Sequence, residues 1–353
     1  MCTGLSKANV AIQNLKGKLA LTKVVRFNTI GGPEVLKILE EELRSPQENE
    51  VLVDIKAAGL NRAEYLYMQG LYLVEPKLPS RIGVEGAGII EAIGPGVKNF
   101  HVGQEVSITP NMSPADYGVI GEEAIIPIQA LAPKSPDISF EEAAAIWMAF
   151  PTAYGGLVEV GGLKPDADQC VVISAASSSV GIPAIQIAKA HGATVIATSR
   201  DFSKKDALVD AGADHVIATS QEDFAARVME ITDGHGFDIA FDPIGGPFLE
   251  VLADGAAVEA SIVVYGALAM SDTAFPLFPA IGKGLRVCGF HLVYNLFDHV
   301  DRTERAMKHL GENLANGTYK PVIDKVFALN EVSKAYEHMA AGKQIGKIIV
   351  SGS

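Results

Sequence analysis

From Val171 onward, apolar runs of four to six residues alternate with amphipathic segments. "VVISA" is followed by a helix over about 180–191, then "TVIATS", a helix from about Ser203 to Ala211, and "HVIA". After these come "DFAARVMEIT" as helix, "FDIAFDPIGG", a helix near 247–254 and "SIVVYGA". Strands without alternation are buried on both faces, so this rhythm predicts a doubly wound parallel sheet of the Rossmann type. The first third reads differently. "KVVRFN", "LKILEEEL" and "EVLVDIKAAGL" alternate or carry β-branched runs, with "IGGPE" and "SPQENE" as turns, which predicts a β-rich barrel. "SFEEAAAIWMAF" opens with a Ser139–Glu142 capping box and predicts a helix leading out of the barrel. From about Leu292 helix and short strands return ("VIDKVFAL", "GKIIV"). The expected division is 1–148 for the β-rich domain, 149–292 for the nucleotide-type domain and 293–353 for the return, with residues 1–20 as a possible flexible extension.

Composition narrows the class. A chain of 353 residues with 48% hydrophobic and 20% charged residues has the balance of a globular protein with two cores. No apolar stretch reaches membrane-spanning length and the amino terminus lacks a signal-peptide core. Cys2, Cys170 and Cys288 form neither a disulfide framework nor a zinc knot, so a reducing cytoplasm is the expected location. A formal charge of −13 argues against nucleic acid as a partner.

The candidate chemistry begins at "SAASSSVG". Against the dinucleotide pattern G-x-G-x-x-G it supplies Ala176, Ser178 and Gly181, one glycine of three. Serine is small, caps helices and donates to phosphate oxygens, so Ser178, Ser179, Val180 and Gly181 are candidates for a pyrophosphate turn at a helix N-terminus. The plainer alternative is a serine cap without a ligand. About twenty residues on, where an NAD site usually carries Asp or Glu, the chain has Ser199 and Arg200, with Lys204 and Lys205 behind. A basic cluster in an acidic chain suits the 2′-phosphate of NADPH. The alternative is a solvated basic helix start, with Asp201 weakening the cluster. Asp242, Pro243 and Ile244, and Tyr265, Gly266 and Ala267, stand at the carboxyl ends of predicted parallel strands, the usual ligand edge.

"GGPEVLKI", "EVLVDIKAAGLNRAEYLYMQGLY", "RIGVEGAGIIEAIGPGVKNFHVGQEV", "FPTAYGGLVEVGGLKPDADQCVVISAASSSVG" and "FDIAFDPIGG" come in an order and spacing that resembles the quinone oxidoreductase branch of the medium-chain dehydrogenase/reductase superfamily. The resemblance runs from about Lys23 to the end. It implies a GroES-like barrel domain beside a Rossmann domain, with the active site between them, and a homodimer. It also identifies Asn61, Val84 and Met148 as standing where zinc-dependent relatives carry Cys, His and Cys. Amide, isopropyl and thioether side chains make no Zn²⁺ site, so the expectation is a metal-free enzyme. Tyr72, eleven residues after Asn61, matches the proposed proton donor of related enoyl reductases. By the same resemblance Asn61 sits beside the nicotinamide ribose, Thr152 touches the nicotinamide end, and Gly346 with Lys347 belong to a segment that closes over the cofactor. Without the resemblance, Asn61 reads equally as a turn residue and Thr152 as a helix cap.

The expected activity is NADPH-dependent hydride transfer to a quinone or an α,β-unsaturated carbonyl compound, a small apolar substrate. The alternatives are a non-catalytic NADPH-binding protein of the same fold and, with the ligands missing, a zinc-type alcohol dehydrogenase. Glu64 is expected to make an orienting salt bridge. His291 and Tyr294 face either the pocket or a dimer seam. His101, His191, His215, Cys170 and Cys288 are expected to have packing or surface roles.

Overall fold

A computed structural model describes residues 21–352; the expectation for residues 1–20 lies outside the described residues. The amino-terminal domain is built on β1 (Leu21–Phe27), β2 (Lys37–Glu42), β3 (Glu50–Gly59), β4 (Ser80–Arg81), β5 (Gly86–Ile93), β6 (Glu105–Ile108), β7 (Glu123–Pro127) and β8 (Leu131–Pro133). Strand β3 is its axis, paired antiparallel to β5 on one side and to β7 on the other. Alternate positions Val51, Val53 and Ile55 of β3 are fully buried and meet Ile90, Val106, Ile108 and Ile126, the expected result of a period-two pattern.

The second domain carries β9 (Cys170–Ile173), β10 (Thr194–Ser199), β11 (His215–Ala218), β12 (Phe237–Asp242), β13 (Ala256–Val264) and β14 (Arg286–Gly289). All pairings are parallel, in the order β11-β10-β9-β12-β13-β14. Numbered from β9, that is the Rossmann order 3-2-1-4-5-6, with its switch point between β9 and β12. All four residues of β9 are buried, which explains their unbroken apolar run.

The chain then returns to the barrel through β15 (Ile323–Ala328) and β16 (Lys347–Ser351), and β16 pairs with Ala57–Gly59 of β3. The return comes later than the boundary expected at 293. The helix Val300–Ala315 buries Ala306 and Leu310 against Phe150, Leu157 and Ile187 in the nucleotide-domain core, and Tyr319 joins them. An amphipathic pattern announces a helix, but it does not say which sheet the helix covers.

Candidate functional site

The serine turn folds as a strand-to-helix corner. Ala175 adopts a left-handed φ of 45°, a conformation that favours glycine. The Ser178 hydroxyl accepts the Gly181 amide at 3.0 Å, so the capping role read from the sequence is real. That bond uses the oxygen as acceptor. Gly181 opens the helix Gly181–Ala190; a Cβ there would lie 2.4 Å from the Ala176 carbonyl oxygen. The glycine that the sequence retains is therefore the one that close packing demands. Ser179 and Val180 are half-buried at the corner.

Beside the turn, the end of β10 opens on a cleft of about 790 Å³ whose walls include Ser177, Ser199, Arg200, Lys204, Lys343 and Ile345. That volume falls in the range of small-molecule sites. Lys204 donates to Ser177 Oγ at 3.0 Å, Gly342 O at 3.1 Å and Gln344 O at 2.8 Å, and burial lowers its pKa. Arg200 donates to Gly342 O at 3.4 Å, while Ser199 Oγ bonds the Asp201 carbonyl. Asp201, which weakened the basic cluster in the sequence, spends its carboxylate on the Ser203 amide at 2.9 Å. Lys343 was not anticipated. Its neighbours in sequence say nothing of β10, and only the carboxyl-terminal return brings it there.

The β12 edge is built differently from the expectation. Asp242 is fully buried and accepts the Gly245 amide at 2.8 Å and the Ile244 amide at 3.2 Å. Burial raises its pKa against those two bonds. Asp242 thus holds the loop instead of facing a ligand, and Ile244 lines the cleft in its place. Pro243 is buried, and a Cβ on Gly266 would lie 2.9 Å from the Pro243 carbonyl oxygen. Tyr265 stacks on Phe241 with ring centroids 4.0 Å apart, and burial pushes its phenol pKa up against the Ser178 hydroxyl. Ala267 is exposed at the rim.

At the barrel side of the interdomain mouth, a buried polar network centres on Asn61, the residue before the helix Arg62–Met68. The Lys347 ammonium donates to Asn61 Oδ1 at 2.7 Å and bonds Glu85 Oε2 in an ion pair that is almost solvent-free. Glu85 Oε1 accepts the Met148 amide at 2.8 Å. Asn61 Nδ2 donates to Gly59 O at 3.1 Å and Glu64 Oε1 at 3.2 Å. Glu64 also accepts Tyr336 OH at 2.8 Å and the Val84 amide at 3.0 Å, and burial raises its pKa. Two expectations change here. Lys347 points into the barrel and is 2% exposed, while Gly346 reaches the turn by donating its amide to Ser177 O at 2.9 Å. Glu64 makes hydrogen bonds, whereas the salt bridge belongs to Glu85. Asn61, 5% exposed, has both ends of its amide engaged within the protein. Thr152 does not cap a helix either. It lies within Ala149–Tyr154 and donates to Met148 O at 2.5 Å.

These residues do not fit a zinc ion. Val84 and Met148 contribute backbone amides, and the cation at Glu85 is an ammonium. Among the described residues no group of three His, Cys, Asp or Glu stands close enough to hold a metal.

Tyr72 follows the helix Arg62–Met68, half-buried against the barrel core. Its hydroxyl lies 3.4 Å from Nε2 of His291, which follows β14 of the other domain, so the pair spans the mouth. Burial raises the Tyr72 pKa, with Tyr294 and Glu64 adding to it. The remaining histidines and thiols behave as read. His191 is buried with Nδ1 2.8 Å from Ile187 O, His101 and His215 are exposed, and burial pushes the Cys170 thiol up to about 12.

Two family models match this chain: the alcohol dehydrogenase GroES-like domain over residues 47–136 and the zinc-binding dehydrogenase over residues 179–311. The quinone oxidoreductase of Pseudomonas aeruginosa is 30% identical over 94% of this chain and 99% of its own length. The chain belongs to the quinone oxidoreductase-like branch of the medium-chain dehydrogenase/reductase superfamily. As a member of that branch it is an oxidoreductase. Two solved quinone oxidoreductases share its fold. That of Pseudomonas syringae pv. Tomato DC3000 has a TM-score of 0.85 at 31% identity, covering 94% of this chain and all of its own. That of Escherichia coli, complexed with NADPH, has a TM-score of 0.84 at 30% identity, covering 93% and 99%. The synaptic vesicle membrane protein VAT-1 homolog of Rattus norvegicus is 31% identical over 87% of this chain and 78% of its own length. Zinc figures in the name of one of the matching models, yet the donor set of this quinone oxidoreductase-like chain does not suit the ion.

Proposed function

We propose that the protein is an NADPH-dependent, metal-independent reductase acting on a quinone or an α,β-unsaturated carbonyl compound. The observation that carries the reading is the cationic wall at the end of β10. Arg200, Lys204 and Lys343 face the cleft there, and Ser199 stands where a carboxylate would hold ribose hydroxyls. When bound, the cofactor supplies the hydride. The Ser178 and Ser179 side chains, at the positive end of the helix that opens at Gly181, would hold its pyrophosphate. Arg200 and Lys343 would take the 2′-phosphate, with Lys204 fixing the wall between them.

Metal independence rests on Lys347. Its ammonium holds Glu85 and Asn61 in one geometry, in the place where zinc-dependent relatives put their ligands. An alkoxide there would have no Lewis acid, whereas an enolate needs only a donor at oxygen and a proton at carbon. Tyr72 holds such a proton at the mouth. A homodimer suits the exposed apolar side chains of β13 and of the helix Leu277–Lys283 that leads into edge strand β14, where Val258, Phe278 and Ile281 are 73%, 84% and 72% exposed. No helix among the described residues is long and apolar enough to cross a membrane, and the free thiols Cys170 and Cys288 suit the cytoplasm.

The test follows NADPH and NADH oxidation by chelator-treated protein offered benzoquinone, a 2-alkenal and a simple aldehyde. Turnover of quinone or alkenal with NADPH, insensitive to chelator, is the expected result. Tight NADPH binding with no turnover would assign a binding role instead. Activity confined to the aldehyde and abolished by chelator would overturn the metal-free reading.

A further inference from the structure

We propose that His291 is a positioning residue that fixes the Tyr72 hydroxyl as a proton donor into the mouth between the domains. The inference rests on the reading of Tyr72 given above.

His291 is held at every polar point. Its amide donates to Asn295 Oδ1 at 2.7 Å and its carbonyl accepts the Asn295 amide at 2.8 Å. Its ring stacks on Tyr294 with centroids 4.4 Å apart and planes 29° apart. Burial lowers its pKa against the opposing charge of Asp298, so the neutral ring, with one donor and one acceptor nitrogen, is the form that matters near neutral pH. Which nitrogen carries the proton then decides what Tyr72 can do. The Tyr294 amide points at Nδ1 from 3.5 Å, and an amide can only donate. Nδ1 is therefore the acceptor and Nε2 carries the hydrogen. Nε2 lies 3.4 Å from the Tyr72 hydroxyl, so the ring donates to the phenol oxygen. With that lone pair used, the phenol O–H has no role toward His291 and turns to the open side. The opposite tautomer would make Tyr72 spend its proton on the ring.

The arrangement also serves the step itself. When the Tyr72 O–H bond breaks, the proton and the electron pair of a substrate enolate form the new C–H bond at the α-carbon. The tyrosinate left behind keeps its electron pair and accepts Nε2–H, and a proton from solvent water restores the phenol. Burial opposes a bare tyrosinate at this position, and the imidazole donor offsets that penalty.

The experiment compares His291→Phe, which keeps the stacking but removes both nitrogens, with His291→Gln, whose amide restores a donor near Nε2. Steady-state kinetics with a 2-alkenal should show kcat lowered about tenfold in H291F, the scale of one lost hydrogen bond, with KM for NADPH unchanged. H291Q should recover most of it, and H291F should add nothing in a Tyr72→Phe background. Independently of activity, two-bond ¹H–¹⁵N correlation spectra of the cofactor-free protein should give the Nε2–H tautomer for His291. An Nδ1–H tautomer, an unimpaired H291F, or equal losses from H291F in the presence and absence of the Tyr72 hydroxyl would each overturn the inference. If Tyr72→Phe itself turns over normally, the Tyr72 reading fails. If Tyr72→Phe is impaired and H291F is not, only the His291 inference fails.

Discussion

Replacing Lys347 by Met should be among the most damaging single changes in the barrel domain. The side chain is 2% exposed, and its ammonium is the counter-ion of Glu85, which is fully buried. Met fills similar space, so the cavity contribution is small; what remains is a buried carboxylate whose nearest donors are the Met148 and Asn61 N–H groups. Breaking a buried pair from one side typically costs about 3–5 kcal/mol, because the surviving charge has no compensation. The double variant Lys347→Met/Glu85→Gln removes both charges and should recover all but about 1–2 kcal/mol, since paired removal from a packed interior is close to neutral. Urea denaturation of the parent, Lys347→Met, Glu85→Gln and the double variant closes the cycle. A single variant within 1 kcal/mol of the parent would refute the reasoning, as would a double variant no better than the single.

Gly181→Ala should displace the helix start, because its Cβ would sit 2.4 Å from the Ala176 carbonyl oxygen; calorimetric titration should show NADPH affinity falling at least tenfold. Ala175→Gly relieves a left-handed φ of 45° and, after the extra chain entropy of glycine, should raise stability by about 0.5–1 kcal/mol in thermal melts. The Arg44 guanidinium, helped by the Gln47 amide and Tyr117, holds the Glu50 carboxyl down to about 2. A depressed carboxyl stabilises the fold above its unfolded value and loses that contribution as pH falls towards 2. Glu50→Gln should therefore cost about 1–2 kcal/mol at pH 7, screening by the half-exposed Arg44 included, and the gap to the parent should close in acid.

Much of this organisation was legible because burial writes itself into residue order. The unbroken apolar run of β9 announced a strand covered on both faces, and the alternation in β3 announced one with a single core face. The serine corner was recognisable from its place between strand and helix. What stayed hidden depended on long-range closure. Lys347 in "GKIIV" looks like a polar position next to a ligand loop, and its partner Glu85 lies 262 residues away. Asp242 has the right place for ligand contact, but the two following left-handed glycines, Gly245 and Gly246, fold its loop back onto the carboxylate. Lys343 and His291 owe their relevance to surfaces that meet only when both domains are assembled.

The carboxyl-terminal return has a consequence for how the protein is made. Strand β16 covers Ala57–Gly59 of β3 and carries the lysine that neutralises Glu85, so a ribosome-bound chain exposes that edge and that charge until residues 347–351 emerge. The nucleotide domain, contiguous in sequence, has all its strands and its Val300–Ala315 helix available well before then. Synthesis therefore runs from an early, incomplete barrel through a finished Rossmann unit to a later locking strand, and a premature stop upstream of Lys347 leaves the first domain with an open, sticky seam.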